Sequence, residues 1–268
     1  VKAKIIVPAI LIFLWCSDRA YSQILVGPVA GGNVSWIKFN DKDLKDEYRV
    51  KPVFGFHAGA QISFRVRKRF FLHSSLIYST KGKVVEGKNQ PLEIKAQNSY
   101  IEMPIVYTVN FRGTIGKKPF KYFAGIGPNI SYWLGGKGTI ENTDTHEFSN
   151  TGPVVHYKVK FRAPPESRQD IGDEDMMLAR ANRIQLGINL TTGLVFEPAP
   201  FREMMVTLRY ERGHSFWSRE SNGVFKSTYY EDIMQVRNQG IRLSVAYMID
   251  LRTDQRKKGK STFDKKKF

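Results

Sequence analysis

The chain has 268 residues, 41% hydrophobic, 13% aromatic and 25% charged, with a formal net charge of +17. No later stretch is apolar for the roughly 18 positions a membrane-spanning helix needs, and a single cysteine excludes a disulfide framework. Such basicity raises nucleic acid as a partner, which the first segment of the chain argues against.

Lys2 and Lys4 precede an apolar run from Ile5 to Trp15 broken only by Pro8, and Ala20-Tyr21-Ser22 follows. A charged start, a short apolar stretch and small residues at a cleavage point read as a secretory signal peptide over residues 1–22, with Gln23 as first mature residue. Cys16 is a weak lipidation candidate, because bulky Trp15 stands where a lipoprotein signal has a small residue. Cleavage after Ser22 leaves no thiolate for a metal site. Export argues against nucleic acid and leaves two architectures, a soluble protein or an inserted barrel.

Residues 23–251 then alternate apolar and polar side chains over eight long stretches. Successive side chains of a strand face opposite sides of the sheet, so each stretch predicts a strand with one apolar and one polar face. The first covers about Leu25 to Trp36 and is rich in glycine; the second, Val53 to Val66, sets Phe54, Phe56 and Ile62 against His57, Gln61 and Arg65. The third runs from Phe70 to Lys81. The fourth, Asn98 to Arg112, opposes Ile101, Met103, Ile105 and Tyr107 to Glu102, Pro104 and Thr108. The fifth and sixth are Phe120 to Leu134 and Arg183 to Glu197. The seventh, Arg202 to Gly213, carries Thr207, Arg209 and Glu211 on its polar face. In the eighth, Ile241, Leu243, Val245, Tyr247, Ile249 and Leu251 alternate with Arg242, Ser244, Ala246, Met248 and Asp250.

Connections after the second, fourth and sixth strands are short, and those after the first, third, fifth and seventh are long, the longest about Gly135 to Asn182. Outer-membrane barrels have short periplasmic turns, long external loops and an even strand count that puts both termini in the periplasm. The expected fold is therefore all-β: an eight-stranded antiparallel up-and-down transmembrane β-barrel with long external loops. A soluble lipocalin-type barrel has the same strand count with its apolar face inward around a ligand. The charges on the polar face decide for the membrane form. Arg65, Glu102, Arg112, Arg209, Glu211 and Arg242 suit a narrow lumen filled by interlocking ion pairs, since eight strands leave room for little but side chains.

Asn98-Ser99-Tyr100-Ile101-Glu102-Met103-Pro104-Ile105-Val106-Tyr107, followed by Tyr122-Phe123-Ala124-Gly125-Ile126-Gly127-Pro128-Asn129-Ile130-Ser131-Tyr132, resembles the "Y-[IL]-E-[IMV]-P" and "G-x-G-P" strands of the Bacteroidota-type outer-membrane β-barrel family, which includes PorT-like proteins. The segments Gly27 to Ser35 and Lys51 to Gly59 fit the first two strands of that family. The resemblance implies the barrel fold, the outer membrane and a Gln-start signal peptide. It implies no single activity, and its PorT-like members are associated with type IX protein secretion and gliding. The long third loop and the lysine-rich tail depart from the family pattern.

Several residues carry candidate chemistry. Glu102 as a catalytic acid competes with Glu102 paired to Arg65, Arg209 or Arg242, and pairing is the expectation because an unpaired buried charge is costly. Pro104 removes a ladder donor and is expected to mark a bulge. His73 and Ser75 share one face, as in some barrel deacylases, but His73 should lie by the turn at Arg69, the wrong end for surface lipid. A calcium site in Asp170 to Asp175 lacks the ligand spacing of an EF-hand loop. The five histidines show no metal-ligand spacing; His146 and His156 flank a β-prone piece from Val154 to Phe161 that Pro164-Pro165 ends. No cofactor is expected.

Residues 252–268 form a basic tail in which eight cations, among them Lys257, Lys258, Lys260, Lys265, Lys266 and Lys267, oppose Asp254 and Asp264. Like-charged blocks repel and rarely fold, so the tail is either a solvated extension or a tether for anionic periplasmic partners, helped by the turns at Arg67-Lys68-Arg69 and Lys117-Lys118. The expected function is a non-enzymatic accessory or scaffold of an envelope assembly, with outer-membrane lipid and envelope proteins as partners. A narrow porin-like or surface-binding barrel is the alternative, and a lipid-modifying or proteolytic barrel enzyme a third class.

Overall fold

Along the segment from Ile184 to Thr191, Ile184 (66% exposed), Leu186, Ile188 and Leu190 point outward while Gln185, Asn189 (1%) and Thr191 point inward. The same inversion of a soluble protein's pattern recurs round the whole sheet. The computed structural model describes residues 23–89, 91–115, 118–142, 154–228 and 230–251. The expected signal peptide, His146, Lys117 and the basic tail with its lysines lie outside the described residues.

Eight long strands close into a ring: β1 (Ile24–Phe39), β3 (Val53–Arg65), β4 (Phe70–Gly87), β5 (Leu92–Ile115), β6 (Lys118–Asn142), β9 (Ile184–Ala199), β10 (Arg202–Gly213) and β11 (Val236–Asp250). Each pairs antiparallel with the next, and β11 returns to β1 through contacts such as Val34↔Ile241 and Val26↔Ile249. Closure leaves the ring without a free edge, the condition for a sheet to survive in hydrocarbon. Leu208, Ile241, Leu243, Val245 and Ile249 continue the exposed apolar belt.

The strands differ greatly in length. Crossing a bilayer takes about 9–11 tilted residues, yet β5 has 24 residues and β6 has 25. At about 3.4 Å per residue those two reach about 80 Å, well beyond a hydrocarbon core of about 30 Å. Their overshoot at the loop end is paired on both sides. β2 (Tyr48–Lys51), preceded by the short helix α1 (Lys42–Glu47), adds to β4; β7 (Val154–Lys160) adds to β6; and β8 (Asp175–Met177) runs parallel to β7. The β-prone piece after residue 153 is therefore a strand of this raised sheet.

Pro104 leaves the register of β5 and β6 unbroken, since Ile101↔Tyr132, Pro104↔Asn129 and Tyr107↔Ile126 belong to one alignment. The expected bulge lies elsewhere. Between Ser99↔Gly135 and Tyr100↔Trp133 the register shifts, leaving Leu134 as the extra residue. That extra residue reverses which parity of β6 faces inward, so that Trp133 below it and Ile140 above it are both buried.

Two apolar clusters occupy the interior. Leu25, Val29, Ile77, Phe123, Val195, Met205, Ala246 and Met248 fill the end near the short turns. Gly193 makes room there, because a Cβ on it would meet the Phe123 ring at 2.6 Å. The second cluster lies at the loop end and includes Ile37, Val85, Ile94, Tyr100, Trp133, Tyr157, Met176, Trp217 and Phe225. It joins the raised sheet to the connection between β10 and β11, whose Ser218, Asn222, Val224 and Ile233 form isolated bridges. Between the two clusters lies a layer of charge.

Candidate functional site

Inward positions of four strands meet at mid-height: Lys81 on β4, Glu102 on β5, Arg209 and Glu211 on β10, and Arg242 on β11. Lys81 Nζ lies 3.1 Å from Glu102 Oε1 and 2.6 Å from Glu211 Oε1. Arg242 lies 2.9 Å from Glu102 and 3.6 Å from Glu211. Glu102, fully buried, also accepts from Ser79 and from Asn129 Nδ2 (3.0 Å), and Asn129 reaches Glu211 at 3.2 Å. Each carboxylate is thus shared by two cations and an amide, the arrangement in which a buried ion cluster offsets its desolvation.

Of the six charges expected in the lumen, Glu102, Arg209, Glu211 and Arg242 lie in this layer. Arg65 and Arg112 do not. Both have inward parity, but they stand at the turn end, where Arg65 donates to the carbonyl of Lys68 at 3.1 Å and Arg112 is exposed. They line an open vestibule of about 580 Å³ with Lys68, Arg69, Lys121 and Glu203. The partner of Glu102 among the three arginines weighed is Arg242. Lys81 was missed, although it keeps the odd parity of His73, Ser75 and Ser79 on β4.

His73 and Ser75 are both buried on the inward face of β4. His73 Nδ1 is 2.6 Å from Ser63 Oγ and its Nε2 is 2.9 Å from Thr108 Oγ1, with the ring stacked on Phe71. Both nitrogens are occupied by hydroxyls of neighbouring strands. His57 sits higher, 2.8 Å from Ser244 Oγ, in space left by Gly31, where a Cβ would lie 2.8 Å from the imidazole.

A second polar cluster ties the raised sheet together. Lys83, fully buried, lies 2.5 Å from Asp232 Oδ1, donates to the carbonyl of Ile233 at 2.6 Å and faces the Trp217 ring at 5.1 Å. Tyr157 donates to Asp232 Oδ2 at 2.6 Å. Burial, and then the Asp232 carboxylate, hold the Tyr157 hydroxyl well above its ordinary range. In the acidic loop, Asp173 faces Lys226 (2.8 Å), Glu174 faces Lys158 (3.3 Å) and Asp175 faces Lys160 (3.7 Å). Among the described residues no three metal-ligating side chains converge, and His156 is exposed.

A closed antiparallel ring with lipid-compatible side chains outward and ions inward defines a transmembrane β-barrel. The family model for the outer membrane protein beta-barrel domain matches residues 17–213, and the chain belongs to that family. Among solved structures it is similar to OprG from Pseudomonas aeruginosa, at 11% identity over 85% of this chain and 93% of that one, with a TM-score of 0.42. Neisserial surface protein A is 10% identical over 85% and 97%, with a TM-score of 0.36. Ail of Yersinia pestis, solved with the heparin analogue sucrose octasulfate, is 12% identical over 85% and 99%, with a TM-score of 0.34. No curated protein matches in sequence.

Proposed function

We propose that this outer-membrane barrel is a closed, non-enzymatic scaffold, which holds its raised loop-end sheet and its basic turn end in place for other envelope proteins. The observation that carries this reading is the layered interior. Five charged side chains cross the lumen between two apolar clusters, and the cavity within the layer is only about 10 Å³. An interior packed in this way offers no path for solute and no room for a substrate. The raised sheet, in contrast, has its own core and an ion-paired latch, which suits a surface that must keep its shape to be recognised.

In this reading the loops face the exterior and both termini the periplasm, which brings the tail lysines Lys257, Lys258, Lys260, Lys265, Lys266 and Lys267 to the same side as Arg67, Lys68 and Arg69. Anionic envelope proteins are the partners such a face would attract, with contacts that weaken in salt. Type IX secretion or gliding as the assembly rests on the PorT-like resemblance alone.

The test combines two measurements on the full chain. In planar bilayers it should give no steady conductance, and from mild detergent at low salt it should co-purify envelope proteins that are lost when residues 256–268 are deleted. Steady ohmic channels would favour the stand-alone porin reading. Co-purification unchanged by the deletion would remove the tail from the account.

A further inference from the structure

The charged layer does not balance. Lys81, Arg209 and Arg242 share it with two carboxylates, Glu102 and Glu211, and all five are at least nine-tenths buried. Lys81 and Arg242 each lie within ion-pair distance of both carboxylates. Arg209 makes no ion pair among the described residues, and its Nε has no hydrogen-bond acceptor there. The nearby imidazoles of His57 and His73 bond to the hydroxyls of Ser244, Ser63 and Thr108 and bring no negative charge. A buried guanidinium is costly without a counter-charge.

The strand beside Arg209 carries further unmatched polar atoms. Thr191 stands directly opposite it in the β9–β10 register, and Asn189 stands opposite Glu211. Both point inward and are buried, and Thr191 Oγ1 and both the Nδ2 and the Oδ1 of Asn189 lack partners among the described residues. On its β11 side, away from Thr191 and Asn189, Arg209 also lines with Lys81, Glu211, Asn238 and Arg242 a small cavity of about 10 Å³, room for one water-sized occupant. That size excludes phosphate, sulfate and organic carboxylates, and the surplus of positive charge excludes a metal cation. We propose that the layer binds a single monatomic anion, chloride in its natural setting, held in this cavity by Arg209 Nε–H. The ion completes the neutrality of the plug.

Bromide is the probe. Crystals of the full-length wild-type protein refolded in sodium bromide should show an anomalous peak within hydrogen-bonding distance of Arg209 Nε. A layer without such a peak, with water or the Asn189 amide on the guanidinium, would overturn the proposal. Thermal unfolding after refolding in chloride or in gluconate at equal ionic strength gives a second readout. The wild-type Tm should rise with chloride, as binding to the folded state requires, and Arg209→Gln should abolish that rise. An equal response of the two proteins would count against the site, and if Arg209→Gln does not fold, the bromide map decides alone.

Discussion

Glu102 is held by two cations, a hydroxyl and an amide, so losing its carboxylate leaves Lys81 and Arg242 to share Glu211 alone in a lumen they cannot leave. Glu102→Ala should cost about 3–5 kcal/mol, the range for breaking a buried pair, whereas Arg65→Ala and Arg112→Ala should each cost under about 1 kcal/mol. Urea unfolding in detergent micelles distinguishes them, and equal losses at Glu102 and Arg112 would contradict the layer. All three residues share inward parity, which is why the sequence pattern groups them. Alternation reports which face a side chain is on and says nothing about its depth along the strand. Tyr157 makes a pH prediction. Its hydroxyl is raised above its ordinary value, so its stabilising contribution is complete below about pH 10. The contribution is lost as pH climbs through the folded value. Near-UV circular dichroism of the loop-end core should therefore hold steady from neutral pH to about pH 9 and decline in stronger alkali, less steeply in Tyr157→Phe.

The raised sheet is the main feature that chain reading did not reach. The third strand was expected to end at Lys81 and the fourth to begin at Asn98, but β4 runs to Gly87 and β5 starts at Leu92. Lysines at 81 and 83 look like the start of a solvated loop, and only continuing the parity beyond them reveals two inward, buried cations. The connection from 214 to 235 gives no periodic signal, because Trp217, Phe225 and Tyr230 enter the core from irregular backbone. β10, in contrast, occupies its expected span from Arg202 to Gly213, since tight turn chemistry and strict alternation bound it. Lys83→Met should leave Asp232 buried without its cation and loosen the 214–235 connection. Amide exchange there should accelerate while the amides of β9, β10 and β11 stay protected; uniform acceleration would mean that the latch stabilises the barrel as a whole.

At the scale of the molecule, the membrane-crossing ring was legible because eight alternating stretches and unequal connections permit few other closures. Its interior was legible in kind, as a polar filling, but the two apolar clusters on either side of that filling were not. Leu25, Val29, Phe123 and Val195 are apolar residues at inward positions, and alternation alone assigns apolar residues to the lipid side. The central claim is that the belt of Leu186, Leu190, Leu243 and Ile249 meets hydrocarbon while Leu25, Ile77 and Val195 do not. Intermolecular nuclear Overhauser effects between detergent acyl chains and assigned methyl groups test it directly. Contacts to the first set and none to the second are expected; acyl-chain contacts to Leu25, Ile77 and Val195 with silence at Leu190 and Leu243 would overturn the outward orientation of the belt.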